Sequence, residues 1–65
     1  MNYNDGNKEL IAELKSKGIT KYPHMGFFNI VASYFGSADK TTEQRIRVMH
    51  RTRLIENDGQ CWVLK

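Results

Sequence analysis

The chain has one cysteine, one proline and no long apolar run, and each scarcity removes a class of protein. A lone Cys61 has no partner for an intramolecular disulfide, which excludes a stapled secreted scaffold and suits a reducing compartment. No stretch approaches the ~20 apolar residues that a membrane-spanning helix needs. The opening MNYNDGNKEL is polar and lacks the hydrophobic segment of a secretory signal, so a cytoplasmic protein without membrane contact is expected. At 65 residues there is room for one small core and none for an enzyme cleft. No catalytic residue and no small-molecule substrate are therefore expected. The glycines are scattered and form no phosphate-binding loop. His24, His50 and Cys61 show none of the paired spacing of a zinc site, so neither a metal nor another cofactor is expected.

What is present is ordinary material for a globular domain: 40% apolar residues, 26% charged residues and seven aromatics. The formal charge of +3 is modest, but its placement is uneven. All four arginines fall within the nine positions from Arg45 to Arg53. With Lys40 they make five cations against one acid, Glu43, between residues 40 and 53.

Residues 1–6 read as a polar arm, and residues 7–65 as a single domain. In NKELIAELKSKG, Leu10, Ile11 and Leu14 share a face at helical spacing, and Gly18 supplies a left-handed stop. ITKYP reads as a connector, with Pro23 suited to the first turn of the next helix. HMGFFNIVASYFG is the expected second helix, ending at Gly36. SADKTT reads as a polar turn, with Asp39, Thr41 and Thr42 as candidate starts for a third helix through TEQRIRVMHR. The chain then gives RLIEN, Asp58-Gly59 and QCWVLK. Asp-Gly is favoured in a two-residue type I′ hairpin, which would set Ile55 opposite Trp62 and Leu54 opposite Val63. Cys61 and Trp62 fit packing positions of that terminal strand.

On a helical wheel Thr42, Ile46, Met49 and Arg53 share one side of the third helix, and Gln44, Arg47, Val48 and Arg51 the other. Arg and Gln can pair bidentately with guanine and adenine edges in the major groove. Lys40, Arg45 and His50 flank that face where phosphates would run, and Thr42 at the helix start offers a hydroxyl to a phosphate. The plainer alternative is a solvated basic face.

The order of elements, together with FNIVASYFGSADKTTEQRIRVMHR and TRLIENDGQCWVL, resembles the winged helix-turn-helix superfamily. Ala32 and Gly36 stand where that unit carries a small residue in its second helix and a glycine opening its turn. The resemblance implies a mainly α fold with a small β-hairpin: three helices, the third a recognition helix, and the hairpin a wing. It implies a small protein that binds duplex DNA, a transcription regulator or accessory factor, through Lys40, Thr42, Gln44, Arg45, Arg47, Arg51 and Arg53. Glu56 and Asp58 put negative charge on the hairpin, where it would repel phosphate. The rival expectation is a small phage-type or mobile-element protein that binds and redirects a host protein, with Phe28 and Tyr34 at the interface. A homodimer is a further expected partner, since one such domain covers a short stretch of DNA.

Overall fold

The computed structural model describes residues 3–65, so the first two residues of the expected polar arm lie outside it. The elements are α1 (Asn7–Ser16), β1 (Lys21–Pro23), α2 (His24–Phe35), α3 (Asp39–Arg51), β2 (Ile55–Asn57) and β3 (Cys61–Leu64). The strands form one antiparallel sheet in the order β1-β3-β2. Three helices and a small antiparallel sheet that ends in a hairpin match the mainly α fold expected from the sequence.

The apolar spacing in α1 does what it predicts: Leu10, Ile11 and Leu14 are buried. They meet Phe27 and Val31 of α2, Ile46 and Met49 of α3, and Ile55 and Leu64 of the sheet in a single core. Phe27, Val31 and Met49 are fully enclosed.

The connector ITKYP contains a strand. Lys21, Tyr22 and Pro23 pair with Val63, Trp62 and Cys61 of β3. Pro23 is tolerated because β1 lies at the sheet edge, where a missing N–H leaves no ladder bond unmade. Pro23 also serves as the N-cap of α2.

The link between α2 and α3 is shorter than SADKTT suggests, because α3 already begins at Asp39 and the turn is residues 36–38. Thr42 explains the early start. Its side chain is buried and its Oγ1 donates to the Ala38 carbonyl at 2.9 Å while meeting Ser37 Oγ at 2.7 Å. This ties the first turn of α3 to the residues before it.

The hairpin turns one residue later than the Asp-Gly reading predicts. Ile55 pairs with Leu64, Glu56 with Val63 and Asn57 with Trp62. Gly59 and Gln60 occupy the tip, with positive φ at Gly59 (100°) and not at Asp58, the pattern of a turn that needs glycine first. The Asp58 carboxylate accepts the N–H groups of Gln60 (3.0 Å) and Cys61 (2.7 Å), and those two bonds hold its pKa below the ordinary carboxylate range. The shift moves the pairing by two residues, so side chains keep their faces and Ile55 and Leu64 still point into the core.

Candidate nucleic-acid interface

On α3 the buried residues Thr42, Ile46 and Met49 fix the orientation of everything else. Lys40, Arg47 and Arg51 are exposed on the opposite side. Their spacing places them within about 40° of one another around the helix and over about 16 Å along it. Half-buried Gln44 borders the same stripe. Among the described residues the one ion pair is Lys65–Glu56 at 2.6 Å, so no carboxylate neutralises the three cations by direct contact. The Lys65 ammonium, through its hydrogen bond first, also lowers the pKa of the Glu56 carboxyl.

Three of the residues expected at the interface are placed elsewhere. Thr42 is sealed in the core with its hydroxyl bonded internally, so it has nothing to offer a phosphate. Arg45 turns away from the stripe to the start of the chain. Its guanidinium donates to the Asp5 carbonyl (2.8 Å), the Tyr3 carbonyl (3.5 Å) and Asn7 Oδ1 (3.2 Å), and lies 3.7 Å from the Phe35 ring centroid. Arg45 therefore pins residues 3–7, and the described part of the polar arm is a turn held against the domain. Arg53 lies beyond the end of α3 in a left-handed conformation (φ 65°), exposed but off the stripe.

The proposed protein-interface pair is also divided. Phe28 and Tyr34 are six residues apart on α2, about 120° around the helix. Phe28 is half-buried against the core, whereas Tyr34 is 45% exposed and meets Phe35 edge-on at 4.9 Å.

Beside the stripe lies a groove of about 450 Å³ that the sequence does not announce. The start of α2 supplies His24 and Phe28, α3 supplies Glu43, Ile46, Arg47 and His50, and the hairpin supplies Asn57 and Trp62. The indole of Trp62 is met by His24 at 5.1 Å and His50 at 5.2 Å, both strongly tilted to it. Asn57 Oδ1 accepts the Gly59 N–H at 2.9 Å, which fixes the amide the right way round. His24 Nε2 lies 3.1 Å from that same oxygen, so Nε2 must carry the proton.

The one hint of this groove in the sequence is His50, which follows Arg47 by one helical turn. His24, Asn57 and Trp62 come from segments whose proximity only the sheet creates. Comparison with protein-family models, with curated proteins and with solved structures returns no match to this chain.

Proposed function

We propose that the protein binds DNA through the exposed face of α3, as a small regulator or accessory factor. The reading rests on one observation: Lys40, Arg47 and Arg51 form a single solvent-facing stripe with no ion-pair partner among the described residues. A helix of this diameter fits the major groove. Lys40, Arg47 and Arg51 then neutralise phosphate, while Gln44 faces base edges. The acidic hairpin tip stays off the backbone, so α3 carries the contact.

Fluorescence anisotropy of labelled duplex DNA across a salt series tests the reading. Three phosphate-directed cations give a slope of log K against log salt near −3, and Arg51→Ala or Lys40→Ala makes it shallower by about one. Absence of binding at low salt, or a slope indifferent to both substitutions, refutes it.

A second reading, docking onto an acidic host protein, is favoured by Met25. It is 82% exposed at the start of α2 and adjoins His24, Phe28 and Asn29 in a shallow, mainly apolar surface. In that case Met25→Ser abolishes capture of the partner and leaves the DNA titration unchanged.

A further inference from the structure

We propose that the groove beside α3 takes one unpaired nucleobase, so that the preferred ligand is duplex DNA that opens into, or ends in, a single strand. This rests on the DNA-binding reading and names the form of DNA that the same surface selects.

The rings point that way first. Trp62 is half-buried in the groove, and both imidazoles meet it at steep angles, 53° for His24 and 62° for His50. Neither ring lies parallel to the indole, so neither completes a stack on it. A base is a planar partner that stacks on an aromatic side chain whatever its identity.

The polar groups narrow the chemistry. Around the apolar floor of Phe28, Ile46 and Trp62 stand an amide, two imidazoles and a carboxylate. The Asn57 amide is fixed through its oxygen by Gly59 and His24, and its NH₂ makes no hydrogen bond among the described residues. An oriented, unused donor and the Glu43 acceptor on the lining of one groove match the mixed edge of a heterocycle. A purely aliphatic anchor would displace water from these groups and offer no hydrogen bond in exchange.

Charge supplies the third argument. Arg47 belongs to both the groove and the cationic stripe, and Arg51 and Lys40 continue the stripe along α3. A base in the groove would thus carry its phosphate to Arg47, with neighbouring phosphates following the helix. In an intact duplex the bases are paired and stacked, and their faces are closed to the groove.

Trp62 is the single tryptophan, so its emission reads the groove separately from binding. The experiment titrates the full chain with a blunt duplex, the same duplex bearing a single-stranded thymidine tail, and the tail alone. Anisotropy of the labelled DNA reports binding, and Trp62 emission reports occupancy of the groove. The tailed duplex is expected to bind about tenfold tighter than the blunt one and to quench Trp62. Trp62→Leu reduces that preference more than Trp62→Phe, which keeps a ring. Should the leucine variant fail to fold, His50→Ala, at an exposed position, reduces the preference in its place. Equal binding of tailed and blunt duplexes with unchanged emission at saturation overturns the groove proposal and leaves the DNA reading standing. Quenching by an acidic peptide with an aromatic anchor, but by no oligonucleotide, overturns it in favour of a protein partner. Failure of every DNA to bind refutes both readings.

Discussion

At the scale of single residues, Arg45 shows why a cluster of cations in sequence is not a cluster in space. Its wheel position lies between the buried face of α3 and the stripe, and the acceptors within its reach are backbone carbonyls of Tyr3 and Asp5. A planar guanidinium can serve several such acceptors at once and still lie over Phe35, which an ammonium cannot do. Arg45→Ala removes these hydrogen bonds and the ring contact and deprives the buried Asn7 Oδ1 of its guanidinium donor, while Asn7 Nδ2 keeps its bond to the Tyr3 carbonyl. The expected loss is about 2 kcal/mol of folding stability, read by urea denaturation, with the salt slope of DNA binding unaltered. Arg45→Lys recovers only part of the loss. If Arg45 contacted phosphate instead, stability would hold and the slope would fall. The sequence cannot distinguish the two cases, because backbone carbonyls are the same at every position and these lie some forty residues upstream.

The helices themselves were legible, since Leu10, Ile11 and Leu14 or Ile46 and Met49 are spaced within one segment and their burial follows from period alone. Their ends follow a shared rule with one exception. After α1, Gly18 (φ 82°) donates to the Lys15 carbonyl and Ile19 to that of Leu14. After α3, Arg53 (φ 65°) donates to the His50 carbonyl and Leu54 to that of Met49, the same pair of closing bonds. Glycine takes the left-handed position freely, whereas arginine pays a steric penalty for its Cβ. Arg53→Gly is therefore expected to raise stability by about 1 kcal/mol, seen as a higher urea midpoint, and Gly18→Arg to lower it by a similar amount. The strands were less legible for a physical reason. Lys21–Pro23 is short and contains the only proline, so nothing local marks it as β, and its partner β3 lies forty residues on. The hairpin tip lies one residue beyond the position that Asp-Gly predicts because the Asp58 carboxylate caps the turn from outside it, whereas the Asp-Gly rule assumes that aspartate lies within.

At the scale of the whole molecule, the pairing across β3 ties distant segments of the chain to one sheet. β3 is the central strand and joins β1, from between α1 and α2, to β2, and the same strand carries Leu64 into the core and Trp62 to the groove. The stripe on α3 was therefore readable from local spacing, but the groove required three segments to meet and was not. Phe27 is the largest fully buried side chain and sits in the core shared by all three helices and the sheet. A domain of this size draws only a few kcal/mol of net stability from its core, while Phe→Ala in such a site costs about 3–5 kcal/mol. Phe27→Ala is accordingly expected to leave the protein unfolded in dilute buffer. Phe27→Leu keeps enough apolar volume to fold and lowers the urea midpoint. Because the sheet and helices share this core, the midpoint must fall equally whether Trp62 emission follows the sheet or far-ultraviolet circular dichroism follows the helices. If the Trp62 transition separates from the helical one in Phe27→Leu, the hairpin folds as an independent unit, and the groove between it and α3 is not a fixed feature of the native protein.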